Sequence, residues 1–144
     1  RREEFIASRG RGAQLNDHRI RVGSRHELND SLIGTGVPFM GHCDEHLDWY
    51  TQSLAAITSR SMGVRRAGAA SLDLAYVAAG RLDGFWEMGL NQWDIAAGAL
   101  LVREAGGLIT DLSGGEGWYD SGNVVCANSK LMRQILPLVK WSAA

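Results

Sequence analysis

Cysteine and proline are scarce in this chain: among 144 residues there are two of each, Cys43 and Cys126, Pro38 and Pro137. The cysteines stand far apart without CxxC spacing. That excludes the disulfide framework of a small secreted scaffold and points to a reducing compartment. Long hydrophobic runs are missing as well. No apolar stretch reaches the ~18 residues needed to span a bilayer, and the N-terminus lacks the charged-then-apolar pattern of a signal peptide. An excess of either charge is also absent. Fifteen Lys and Arg oppose sixteen Asp and Glu, for a net charge of −1, so no global field draws the chain to nucleic acid or an anionic membrane. The expected setting is cytoplasmic, with no membrane partner. Internal repeats, low-complexity segments and long linkers are lacking too.

What is present is the composition of an ordinary folded domain. Hydrophobic residues make up 45% and charged residues 22%, which excludes intrinsic disorder, and the length suffices to bury a real core. The arginines are uneven: Arg1, Arg2, Arg9, Arg11, Arg19, Arg21 and Arg25 all precede residue 26. They suit a solvated or interface face of strands, with an anionic partner as the alternative.

From Phe5 to Val22 the text FIASRGRGAQLNDHRIRV alternates apolar and polar residues around glycines and an Asn16-Asp17 turn signal, predicting strands joined by short turns. Ser31–Gly36, stopped by glycine and Pro38, suits a buried strand. Asp44–Arg60 has apolar residues at helical spacing, acidic residues at its start and Arg60 at its end. Gly63–Ala67 is a short strand. Ala69–Ala79 is a helix apolar on nearly every side, closed by Gly80. Strand-like DGFWEM is followed by a helix over Asp94–Ala105, a strand LITDL, a glycine-rich connection, a strand over Asn123–Ala127 and a helix over Lys130–Lys140 interrupted late by Pro137. This alternation implies an α/β layered fold with at least partly parallel strands. The two helices that read as apolar all round are expected to be covered on both sides, by layers on either face of a sheet or by a partner surface outside this chain.

One carboxylate, Asp94, heads a segment that is otherwise almost wholly apolar, EMGLNQWDIAAGALLVREAGG. Two readings stand side by side. An Asp in a first helical turn satisfies unpaired backbone N–H groups, and a carboxylate near the bottom of a cleft is also a ligand for a hard divalent cation. Glu87 lies seven residues earlier at the end of a strand, so the two acids bracket one loop where α/β sheets collect ligands. Gly68, Ala69 and Ala70 form another strand-to-helix junction, where small residues admit a ligand to backbone N–H groups or simply permit close packing.

Other signals compete. His42 and His46, four residues apart around Cys43, form a weak transition-metal clip with no second ligand cluster, and Cys43 lacks a basic partner beyond them for nucleophilic chemistry. Asp73 is expected to cap, to pair or to back the site rather than bind metal. SGGEGWYDSGN lacks the lysine and following helix of a phosphate loop and reads as a surface connection. The five tryptophans are expected in core and interfaces.

The run GLNQWDIAAGALLVREAGGLITDLSGG resembles the C-terminal signature of the inositol monophosphatase family, and GAASLDLAYVAAGRLDGFWEMGL and FIASRGRGAQLNDHRIRV fit the same family in order and spacing. The resemblance covers nearly the whole chain. It implies a layered sugar-phosphatase-type fold and a Mg²⁺-dependent phosphomonoesterase, inhibited by Li⁺, acting on a small-molecule phosphate monoester and assembled as a homodimer. By the same resemblance Asp94 is a metal ligand that also meets a substrate hydroxyl. Glu87 accepts hydrogen bonds from inositol hydroxyls, and Gly68, Ala69 and Ala70 offer main chain to the sugar alcohol, with no side-chain hydroxyl at position 69. The family's Asp-Pro-(Ile/Leu)-Asp-Gly-Thr run and its upstream Gly-Glu ligand do not occur in this sequence. The expectation is therefore a C-terminal portion, inactive alone, in which residues 1–30 complete an upstream antiparallel sheet and 31–144 form a C-terminal α/β domain. Myo-inositol monophosphate is the favoured substrate, ahead of histidinol phosphate, nucleotide 3′-phosphates and fructose bisphosphate; a non-catalytic binding or regulatory protein of the same fold is the alternative.

Overall fold

A computed structural model describes residues 2–37 and 43–141, with the backbone alone for residues 43–45. The first three strands, β1 (Phe5–Ser8), β2 (Gly12–Leu15) and β3 (His18–Ile20), form an antiparallel sheet in chain order. The register pairs Phe5 with Leu15 and Ala13 with Ile20. Asn16 and Asp17 both take positive φ, 47° and 67°, the twist a two-residue hairpin needs and one that short polar side chains tolerate. Alternation sorts the strands' two faces: Ala13 is buried, with Phe5, Ala7 and Ile20 packed beside it, while Arg19 is exposed, as are Arg9 and Arg11 in the turn between β1 and β2.

The second sheet contains β4 (Leu32–Thr35), β5 (Gly63–Arg65), β6 (Gly84–Glu87), β7 (Leu108–Thr110) and β8 (Val124–Ala127), in the order β5-β4-β6-β8-β7. Strand β4 runs parallel to both β5 and β6, whereas β8 is antiparallel to β6 and β7. The partly parallel α/β layering read from the sequence is thus the observed fold. Helices α1 (Cys43–Arg60), α2 (Ala70–Ala78), α3 (Gln92–Glu104), α4 (Trp118–Ser121) and α5 (Ser129–Val139) accompany it. Central strands covered on both faces read as continuous apolar runs rather than alternating ones, and β6 and β8 are buried at every position. On one face Phe85, Val124 and Cys126 pack with Leu74 and Val77 of α2 and Ile95 and Val102 of α3. On the other, Ile33, Trp86 and Val125 pack with Tyr50 and Ile57 of α1 and Leu131 and Ile135 of α5.

Three expectations need correction. Helix α3 begins at Gln92, not Asp94, because Asn91 caps it: the Asn91 N–H donates to Asp94 Oδ2 at 3.3 Å, so Asp94 is the third helical residue. The glycine-rich connection contains the one-turn helix α4, too short to leave a periodic signal, and a 3-10 turn over Leu28–Asp30 went unread. The layers of this chain do not cover helices α2 and α3 on every side, so of the two covers expected only a partner surface could reach their outer faces. Ser71, Leu72, Ala96 and Ala97 are exposed, because alanine suits a surface helix as well as a buried one.

Candidate functional site

The parallel strands β4, β5 and β6 end on the same edge, and α2 and α3 start there. Ligands in such sheets bind beyond the carboxyl ends of the strands, against helix N-termini. A cavity of about 330 Å³ occupies that place, lined among others by Arg66, Gly68, Ala69, Ala70, Glu87 and Asp94. The five site residues expected from the sequence therefore share one cavity, although they come from two separate strand-to-helix junctions.

Glu87 is the last residue of β6 and is 8% exposed. Its position depends on Gly36, just past β4: a Cβ there would lie 1.8 Å from Glu87 Oε1. The sequence reading gave Gly36 only the task of ending a strand. Burial pushes the Glu87 carboxyl up to about 7, the charges of Asp73 and Asp94 push the same way, and Arg66 opposes them. Asp94 is half-buried at the head of α3. Its capping bond to Asn91 engages one oxygen, so cap and ligand roles coexist. Trp93 beside it is 78% exposed and lies outside the core, whereas Trp86 and Trp118 are buried in it.

At the α2 end, Gly68 adopts a positive φ of 86° with open space where a Cβ would stand. Ala69 precedes the helix in extended conformation and supplies no side-chain cap. The first-turn N–H groups of a helix have no intrahelical acceptor, so α2 presents uncapped donors beside Gly68, Ala69 and Ala70 on the cavity wall.

Asp73 neither caps nor pairs. It is 1% exposed, and neither carboxylate oxygen has a hydrogen-bond partner among the described residues. Desolvation pushes it up to about 6. Two further groups were missed. The Tyr50 hydroxyl lies 3.3 Å from Thr35 Oγ1, and its ring stacks on Trp86. Burial raises its pKa, and the charges of Arg66 and Glu87 act on it in opposite directions. Neither Tyr50 nor Thr35 carries a sequence signal, since both look like ordinary members of amphipathic elements.

The rival signals fall elsewhere. His42 and the Cys43 side chain lie outside the described residues, and the His46 ring packs edge-on against Trp141 with centroids 5.0 Å apart. The glycine-rich connection is organised by Asp111, which accepts N–H bonds from Ser113, Gly115 and Gly117, so it folds around its own carboxylate. Among the described residues no group of three or more His, Cys, Asp or Glu side chains is placed to hold a metal.

The chain is similar to several known proteins. The chain is 51% identical over 140 residues to a Nus factor SuhB of Pseudomonas aeruginosa, covering 97% of this chain and 52% of that protein. It is 49% identical over 138 residues to an inositol-1-monophosphatase of Mesorhizobium japonicum, covering 96% and 51%. The crystal structure of the extragenic suppressor protein suhB from Bartonella henselae superposes with a TM-score of 0.90 at 44% identity, covering 98% of this chain and 53% of that one. The chain spans about half the length of the curated relatives it matches. The model of the inositol monophosphatase family matches residues 1–142, and this chain belongs to that family.

Proposed function

We propose that the intact protein carrying these residues is a Mg²⁺-dependent phosphomonoesterase that hydrolyses myo-inositol monophosphate to inositol and phosphate. The observation that carries this reading is the convergence of Glu87, Asp94 and the Gly68–Ala70 backbone on one cavity of about 330 Å³. Backbone donors on one wall and carboxylates on the other complement the hydroxyls of a sugar alcohol, each of which both donates and accepts.

The residues present fit part of a Mg²⁺ site. Oxygen ligands suit this cation. Glu87 lines the same cavity as Asp94, in a poorly solvated place where burial raises its carboxyl, and a cation beside Asp94 would ease its ionisation. Asp94 would hold the metal, as one ligand of a set that the described residues do not complete. When bound, Mg²⁺ supplies Lewis-acid polarisation of the phosphoryl group and a lowered pKa for its water. The work of this chain is to orient the alcohol: Glu87 bonds a hydroxyl from its buried position, and the α2 N-terminus donates to another.

On this reading β1–β3 complete a larger antiparallel sheet, residues 31–144 act as a C-terminal domain, Li⁺ inhibits and the working form is a dimer. A second reading, a regulatory or binding role, is favoured by the relatives named Nus factor SuhB and by the exposed arginines of the first strands. Phosphate release from inositol 1-phosphate by the intact protein, followed across a Mg²⁺ titration, separates the two. We expect Mg²⁺-dependent turnover that Asp94→Asn lowers by orders of magnitude while shifting the Mg²⁺ dependence. Equal kinetics for Asp94→Asn across the titration would refute the ligand assignment, and no turnover at any Mg²⁺ concentration favours the regulatory role.

A further inference from the structure

Arg66 is a cation of the site cavity to which the proposed chemistry gives no task. It stands one residue past β5 and four before α2, and it lines the cavity together with Glu87, Asp94 and the Gly68–Ala70 backbone. Its neighbour Arg65 goes elsewhere. Successive residues at a strand end turn to opposite sides, and Arg65 lines a separate cavity of about 280 Å³ with Asp73, Tyr76 and Arg81. Of two adjacent arginines, the fold puts only Arg66 in the site.

Arg81 pairs with Glu3 and Arg103 with Glu116, but Arg66 has no such partner. Its side chain is exposed, and among the described residues no hydrogen bond or ion pair takes up its guanidinium. The carboxylate of Glu87, across the same cavity, is likewise not taken up by any donor among them. The charge of Arg66 nevertheless reaches both Glu87 and Tyr50. A guanidinium only donates hydrogen bonds, an ionised carboxylate only accepts them, and a hydroxyl does both. A cavity that holds one of each, with neither consumed by the other, complements two hydroxyls of one molecule. A second anionic group on the ligand fits less well, because Glu87 and Asp94 bring two carboxylates to the same space and like charges repel there.

We propose that Arg66 is a specificity-determining residue: it donates to a second hydroxyl of the alcohol while Glu87 accepts from the first, so that the cavity selects phosphate esters of polyols over those of simple alcohols. This rests on the reading of Glu87 as the hydroxyl-binding group. The backbone donors of α2 stand next to Arg66, but a hydrogen bond from a guanidinium is charge-assisted and stronger than one from a neutral amide. Because Arg66 is exposed, water replaces a missing hydroxyl, which keeps the discrimination modest.

The test uses the intact Mg²⁺-loaded protein and two substrates that share a six-membered ring and one phosphate: inositol 1-phosphate, and cyclohexyl phosphate, which has no free hydroxyl. The wild-type protein is expected to prefer the first, measured as the ratio of the two kcat/KM values. In Arg66→Gln that preference falls by roughly three- to thirtyfold, the worth of one charge-assisted hydrogen bond at an exposed position. The loss appears as a raised KM for inositol 1-phosphate, with cyclohexyl phosphate unaffected. Arg65→Gln removes the same charge from the other cavity and leaves the preference as it was. Equal losses on the two substrates would mean that Arg66 serves the phosphate or the fold, an unchanged preference that it meets no hydroxyl, and an equal loss in Arg65→Gln that a field acts rather than a contact; each overturns the proposal. Glu87→Gln keeps the two readings apart. If the wild-type protein shows no preference, or Glu87→Gln leaves it intact, the hydroxyl reading of the site fails and the role of Arg66 falls with it. If Glu87→Gln weakens the preference and Arg66→Gln does not, only the role of Arg66 fails.

Discussion

At the scale of single residues, Asp73 shows how a charge that weakens a fold can be measured. Desolvation raises its carboxyl from the ordinary 3.8 to about 6, so between those values the folded protein binds more protons than the unfolded chain, and stability falls as pH rises through that window. Well below pH 3.8 the group is neutral in both states and costs nothing by this route. Well above pH 6 the full penalty is present, at most about 3 kcal/mol. Asp73→Asn is therefore expected to stabilise the protein by about 1–3 kcal/mol at pH 7.5 and by much less at pH 4, read from urea midpoints at the two pH values. A destabilised variant at pH 7.5 would show that the carboxylate has a partner in solution.

At the scale of elements, the contact that orients the cavity is α2 against α3, since each contributes one wall through its N-terminus. The two helices approach closely because position 98 is glycine: a Cβ there would lie 2.6 Å from both Cβ and Cδ1 of Leu74. Alanine in the middle of a helix ordinarily stabilises by about 1 kcal/mol over glycine, whereas overpacking a tight core costs about 1–3 kcal/mol. Packing is expected to win. Gly98→Ala should lower the urea midpoint at unchanged slope, and a raised midpoint would mean that the helices part without cost. The periodicities of both helices were readable in the sequence, but the direction of their faces was not, because alanine carries no preference between core and surface.

At the scale of the whole molecule, the first sheet is tied to the second by specific polar bonds as well as by packing. Glu104, at the end of α3, accepts the N–H groups of Gly10 and Gly12 at 3.1 and 2.8 Å. The Asn128 side-chain amide donates to the carbonyls of Gly23 and Arg25, and the Val22 N–H donates to the Ala105 carbonyl. The Gly10 and Gly12 donors hold the Glu104 carboxyl below its usual range. For a lowered carboxylate the linkage has the opposite sign to Asp73: the contribution is present above the ordinary carboxylate range and is lost as pH falls through the folded value. Hydrogen-exchange protection of the Gly12 amide is expected to drop in acid before that of Phe85 or Cys126 in the second sheet. Glu104→Gln should produce the same selective loss at neutral pH. Simultaneous loss across both sheets would show that the molecule opens as one unit.

The order of strands and helices, the hairpin turn at Asn16-Asp17 and the candidacy of Glu87, Asp94 and Gly68–Ala70 all follow from local chemistry: period, capping, glycine placement and a long family-like motif. Such signals act over a few residues and are present in the chain before it folds. Tertiary structure alone decided the rest. It set Gly36 against Glu87, left the Asp73 carboxylate without a partner among the described residues, brought Tyr50 and Arg66 into the electrostatic reach of Glu87 and exposed Trp93. These are relations between residues distant in sequence, and they arise only when parallel strands end together and two helices start against them.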